Sequence, residues 1–140
     1  MIDHIPSKGL DLARVLIVDD DPASRLTLQT VLEAGGYQVD AAATAAEAVD
    51  KLEHSQYELV LSDLQMESPE AGLKVLAHAR MMDYQPATAL VQSWQSSALP
   101  SEMATGERLV VETEDIDGLL SGVADLISRR ALRLLRRSRS

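Results

Sequence analysis

The stretch "ARVLIVDDDPASR", residues 13–25, drives a short apolar run straight into three consecutive aspartates. The segment "RVLIV" (14–18) is rich in β-branched residues and lacks polar alternation, the pattern of a buried strand. Asp19, Asp20 and Asp21 then crowd three like charges together, which a fold tolerates only where something offsets the repulsion. Pro22 suits the first turn of a helix, and "PASRLTLQTVLEAGG" continues as that helix to a stop at Gly35 and Gly36.

Strand and helix patterns alternate along the rest of the chain. "YQVDAAA" (37–43) predicts a second strand. "TAAEAVDKLEHS" begins a helix on a capping box, Thr44 with Glu47 three residues later. "YELVLSD" (57–63) predicts a third strand that again ends on an aspartate, Asp63. After a loop "LQMESPEA" come a helix over "GLKVLAHARMMD" (72–83) and a fourth strand, "ATALVQS" (87–93). A fifth strand over "ERLVVE" (107–112) precedes a long helix from about Asp117. Regular βα alternation implies a parallel sheet with helices on both faces. Ligands of such sheets bind beyond the carboxyl ends of the strands. Asp19 to Asp21 and Asp63 fall at those ends of strands 1 and 3, so they are expected to converge on one site.

Composition bounds the rest. The 140 residues suit one domain, and 46% apolar with 25% charged residues is globular. There is no cysteine, which excludes disulfides and thiolate metal sites. No apolar run approaches a membrane span and the N-terminus lacks a signal-peptide pattern, so a soluble cytoplasmic domain is expected. The net charge of −9 is uneven: six of thirteen basic residues lie in "RRALRLLRRSR" (129–139). Residues 1–128 set seven basic against all twenty-two acidic side chains, which makes that body a poor binder of nucleic acid.

"VLIVDDDPASR", "YELVLSDLQM" and the (βα)5 spacing resemble a bacterial response-regulator receiver domain over about residues 14–128. The strand-ending "VDD" and a second strand-ending Asp 44 residues after Asp19 carry that likeness. The resemblance implies a flavodoxin-like, doubly wound α/β fold with a five-stranded parallel sheet in the order 2-1-3-4-5. It also implies a phosphoacceptor in two-component phosphorelay signalling rather than an enzyme. By it, Asp63 takes a phosphoryl group from a histidine kinase or phosphotransfer protein. The same resemblance implies that Asp19, Asp20, Asp63 and the backbone carbonyl of Gln65 hold Mg2+. That ion favours oxygen ligands and relieves the crowding of the carboxylates. Asp21 is expected at the helix start, where its charge favours the macrodipole.

Two features depart from the family pattern. A Ser or Thr followed by a small residue is usual at the end of strand 4. Here Ser93 is the candidate switch hydroxyl, Gln92 the alternative if the alignment slips near "ESPEAG", and bulky Trp94 follows. After strand 5 the family has Lys-Pro; alignment on the next helix places Glu112 and Thr113 there, with Leu109 at the aromatic switch position. No lysine follows Lys74. Arg108 is the nearby base, and it shares a strand face with Val110 and Glu112. A fourth carboxylate would repel an incoming phosphoryl group, so slow phosphorylation or altered switching is expected. The stretch "QSSALPSEMATG" leaves little room for a regular fourth helix.

Residues 1–13 read as an N-terminal extension and 129–140 as a basic amphipathic extension or linker start. Arg129, Arg130, Arg133, Arg136 and Arg137 cluster on one helical face, with Leu132, Leu134 and Leu135 opposite. Such a helix can meet an acidic partner, form a homodimer, lie on an anionic membrane or lead to an effector domain. Two further readings stand beside the receiver: a phosphate-independent pseudo-receiver acting by protein contacts, and a haloacid-dehalogenase-type phosphatase suggested by the Asp-x-Asp spacing of "DDDP".

Overall fold

The computed structural model describes residues 13–63, 68–93, 107–111 and 116–139. Five strands alternate with helices: β1 (Arg14–Val18), α1 (Pro22–Ala34), β2 (Gln38–Ala42), α2 (Ala45–His54), β3 (Leu59–Asp63), α3 (Pro69–Arg80), β4 (Ala87–Ser93), β5 (Glu107–Val111) and α4 (Ile116–Arg139). All pairings are parallel and the sheet order is β2-β1-β3-β4-β5, as the sequence reading expected. A parallel sheet must be covered on both faces, and here each face has its own core. On one, Val15, Ile17, Leu59, Leu61, Ala89 and Val91 pack against Leu28 and Leu32 of α1 and Leu119, Val123 and Leu126 of α4. On the other, Leu16, Val18, Val60 and Leu90 meet Ala48 and Leu52 of α2 and Val75, Leu76 and Ala79 of α3. Successive residues of β1 and β3 thus serve opposite cores, which explains their unbroken apolar runs.

The helix ends follow local chemistry. The Asp21 side chain accepts from the Ser24 N–H at 3.0 Å and Pro22 occupies the first turn. At the far end Tyr37 N–H donates to Leu32 O and Gly36 N–H to Glu33 O, with Gly36 at φ 101°. That is a Schellman closure, and its left-handed residue favours glycine. Thr44 Oγ1 accepts from Glu47 N–H at 3.1 Å, while Glu47 Oε1 reaches back to the Ala43 N–H at 2.8 Å. The capping box is therefore present, displaced by one residue on its return bond.

The boundary of α3 differs from the expected 72–83. Ser68 caps it, accepting from Ala71 N–H at 3.2 Å, and Pro69 starts the helix, which ends at Arg80. Ser-Pro serves equally as a turn and as a helix start, and the cap bond decides it here. Two strands are trimmed by one or two residues: β2 spans 38–42 and β3 begins at Leu59, while residue 112, the expected end of the fifth strand, lies outside the described residues. The segment where a fourth helix would fall, 95–106, lies outside the described residues, as does most of the N-terminal extension.

At the amino end of the sheet the Tyr57 hydroxyl donates to Asp40 Oδ2 at 2.7 Å, with the Arg14 guanidinium 5.7 Å from the Tyr57 ring centre. Burial is the main cause of a strongly raised Tyr57 pKa, and Asp40 adds to it; burial also raises Tyr37 and Tyr84. A raised phenol favours the folded state only while it keeps its proton. Stability should therefore hold below pH 10, the ordinary tyrosine value, and fall as pH rises above it. Denaturant melts across that window should show the decline, and Tyr57→Phe should flatten it while lowering neutral-pH stability by about 1 kcal/mol.

Candidate metal and phosphoacceptor site

The strand order reverses between β1 and β3, so the crevice at their carboxyl ends is the topological switch point of the sheet. Register aligns Val18 of β1 with Ser62 of β3. The next residue on each strand is an aspartate, Asp19 and Asp63. Adding Asp20, the three side chains bring carboxylate oxygens within 4.8 Å of one another. The strand-end rule expected Asp19 to Asp21 to converge with Asp63; the structure brings Asp19, Asp20 and Asp63 together and leaves Asp21 out of the group.

Each acid is held differently. Asp19 is only 3% exposed. Its N–H donates to Ala42 O at the end of β2, and its Oδ1 accepts from the Asp21 N–H at 2.9 Å. Burial pushes the Asp19 carboxyl upward, and the charges of Asp21 and Asp20 add to this; the Asp21 N–H and a hydrogen bond with Asp63 oppose it. Asp20 is exposed and Asp63 half-buried. Asp21 is the cap of α1, its carboxyl lowered by hydrogen bonds from Ser24 and the nearby Arg25 charge. It is not among the converging acids, in keeping with its expected place at the helix start.

Arg25 was not singled out by the sequence. Its Nη1 donates to the backbone carbonyl of Asp19 at 2.9 Å, tying the first turn of α1 to the loop that carries the acidic pair. The signal was the four-residue spacing from Asp21 to Arg25, which on a helix places a cation over the acidic cap. Ser62, one residue before Asp63, is fully buried and its Oγ has no hydrogen-bond partner among the described residues.

The remaining expected site residues stand less fully described. Val91 is the register partner of Asp63, and Ser93 follows it by two residues as the last residue of β4, opposite Val111. Gln65, Trp94, Glu112 and Thr113 lie outside the described residues.

Three carboxylates are hard oxygen donors, the chemistry that divalent cations such as Mg2+ prefer. Without a cation their mutual repulsion is offset only in part, so the donor set fits a metal site.

The family model for the response regulator receiver domain matches residues 15–105. The chain belongs to the response regulator receiver family. Among curated relatives this receiver is 32% identical over 120 residues to the sensor protein GacS of Pseudomonas syringae pv. syringae, a match covering 83% of the chain and 12% of that protein. It is 35% identical over 108 residues to the response regulator Rre1 of Synechocystis sp., covering 76% of the chain and 44% of that protein. The receiver thus spans less than half the length of either relative. Among solved structures it resembles the response regulator TrrA of Thermotoga maritima, crystallised with Mg2+ and BeF, at TM-score 0.66 and 30% identity, covering 82% of this chain and 99% of that one. A CheY-like receiver from Methanospirillum hungatei matches at TM-score 0.71 and 25% identity, covering 88% of this chain and 99% of that one.

Membership makes the chain a phosphoacceptor signalling domain of two-component systems, and it sets aside the haloacid-dehalogenase reading. No helix among the described residues is long and apolar enough to cross a membrane.

Proposed function

We propose that Asp63 is the phosphoacceptor, taking a phosphoryl group from a histidine kinase or phosphotransfer protein, and that Asp19, Asp20, Asp63 and the Gln65 carbonyl hold Mg2+ beside it. The observation that carries this reading is the convergence of the three carboxylates at the strand-order reversal. Bound there, Mg2+ would neutralise the carboxylates and the charge on the transferring phosphoryl group. Asp63 is the half-buried member at a strand end, open enough to meet a donor yet fixed in direction by the sheet. One of its oxygens forms the new P–O bond as the donor's P–N bond breaks, and the electron pair returns to the imidazole nitrogen. Asp19 is committed to the Asp21 N–H and is suited to holding rather than attacking.

Ser93 is the switch hydroxyl in this reading. It shares strand parity with Val91, the register partner of Asp63, whereas Gln92 has the opposite parity. Glu112 takes the place of the family lysine, so the pocket lacks a cation that would grip the phosphoryl oxygens. The domain spans 14–128, with 129–140 as its extension, and acts in the cytoplasm through protein contacts: an effector domain, a separate partner or a homodimer.

Labelling by acetyl phosphate tests this. The wild-type chain should label slowly and only with Mg2+. Glu112→Lys should speed labelling on the order of 10- to 100-fold, the scale of restoring one charge-stabilising donor. Fast wild-type labelling that Glu112→Lys leaves unchanged would remove Glu112 from the pocket. Absence of labelling in both proteins would favour the pseudo-receiver.

A further inference from the structure

Helix α4 runs unbroken through residue 129 to Arg139, and arginines fasten its last turns to the body. Arg130 donates from Nε to Gln85 O at 2.9 Å and from Nη2 to Tyr84 O at 2.7 Å. Arg137 bonds the Gln85 side chain. Gln85 is held at φ 47°, a left-handed conformation unusual for a residue with a side chain. The extension is thus docked against the α3–β4 corner at the amino end of the sheet, away from Asp63.

Docking creates an open groove. One part, of about 420 Å³, is lined by Arg80, Arg133, Arg136, Arg137 and Pro86 among others. An adjoining part, of about 370 Å³, shares Arg80, Pro86 and Arg133 and adds Arg129 and Leu126. Five guanidinium-bearing residues therefore border one concavity, and no carboxylate among the described residues lines either part. Some of this charge is engaged: Arg129 pairs with Asp125 and Arg80 Nε donates to Thr88 Oγ1 at 3.2 Å. The side chains of Arg133 and Arg136 make no hydrogen bond or ion pair among the described residues. Cations spaced three and four residues apart on a helix repel one another, so this arrangement is disfavoured unless an anion neutralises it.

The chemistry selects the anion. Planar guanidinium forks match phosphate oxygens in pairs, and several forks around one groove suit several phosphates. The volumes are those of small-molecule sites. A long polyanion would have to cross a body with seven basic and twenty-two acidic residues, whereas a compact one keeps its charge within the groove. We propose that this groove binds a compact, free oligophosphate, a ligand with two or more linked phosphates such as a nucleoside polyphosphate.

Equilibrium dialysis of the full chain against inorganic tripolyphosphate, at low salt and without divalent metal, tests this. Saturable binding is expected, weakening as salt rises. It should fall at least about tenfold in the double variant Arg133→Gln, Arg136→Gln, which keeps much of the side-chain length. Lys74→Gln, on the exposed face of α3, and Asp63→Asn should bind as wild type does, which separates this site from the phosphoacceptor. Tripolyphosphate should also raise the wild-type melting temperature more than sodium sulfate at equal ionic strength, a reading that needs no variant. Absence of saturable binding, equal stabilisation by sulfate, or full binding by the double variant would overturn the proposal. So would capture by phosphatidylcholine vesicles carrying phosphatidylinositol bisphosphate that tripolyphosphate does not reverse, since that would assign the groove to a lipid headgroup.

Discussion

Asp63→Asn should abolish labelling of the chain by acetyl phosphate, leaving a protein that folds as well as the wild type. An amide keeps the shape of the carboxyl side chain but removes the anionic oxygen that forms the acyl phosphate. Asp63 closes β3 in register with Val91 of β4, one residue beyond the Ser62–Val18 pairing with β1, so its backbone is held at the strand end while its side chain stays half-exposed. Asp19 and Asp20 lie within reach of the same point, yet they are placed differently. Asp19 is buried and tied through Oδ1 to the Asp21 N–H, and Asp20 follows it in the loop anchored by Arg25. Asp19→Asn or Asp20→Asn should therefore slow labelling by about tenfold or more through weaker metal binding, with the remaining label still on Asp63. Removing one of three crowded charges should also raise the melting temperature of metal-free Asp63→Asn above that of wild type. Mass spectrometry of the labelled peptide decides the assignment: label persisting in Asp63→Asn would show that another carboxylate is the acceptor.

The largest stability effect is expected in the same strand. Leu61 is fully buried, pairs with Ile17 on one side and Ala89 on the other, and packs in the core beneath α1 and α4. Leu61→Ala removes apolar contacts at the centre of the sheet and leaves a cavity that neighbours on both sides can fill only in part. A loss of about 2–5 kcal/mol is expected, a large share of the roughly 5–15 kcal/mol that holds a domain of this kind together. Urea unfolding should show a lower midpoint with an unchanged slope. A loss below about 1 kcal/mol would mean that the core beneath the site relaxes around the gap.

The sheet was legible because its strands are buried on both faces: "RVLIV" and "LVLSD" have no polar alternation to confuse with a helix face. The acidic trio was legible for a related reason, since the strand-end rule places Asp19 and Asp63 together once the strands are assigned. Features that depend on a fold-back were not. Pro69 reads as part of a loop until the Ser68 cap bond is known. Arg25 reads as an ordinary helix cation until its Nη1 is seen at the Asp19 carbonyl. The arginine stripe of α4 was legible as a periodicity, but its docking joins Arg130 to Gln85 across 45 residues of sequence, which no local pattern encodes.

In the proposed function Asp19, Asp20 and Asp63 form one divalent-cation site with Asp63 as its reactive member. Isothermal titration of Mg2+ into the metal-free chain, followed by beryllofluoride, tests it most directly. One saturable Mg2+ site is expected, weakened in Asp19→Asn and Asp20→Asn, with a further saturable heat with beryllofluoride that is lost in Asp63→Asn. A wild-type chain that takes up no Mg2+, or whose binding is untouched by all three substitutions, would contradict it.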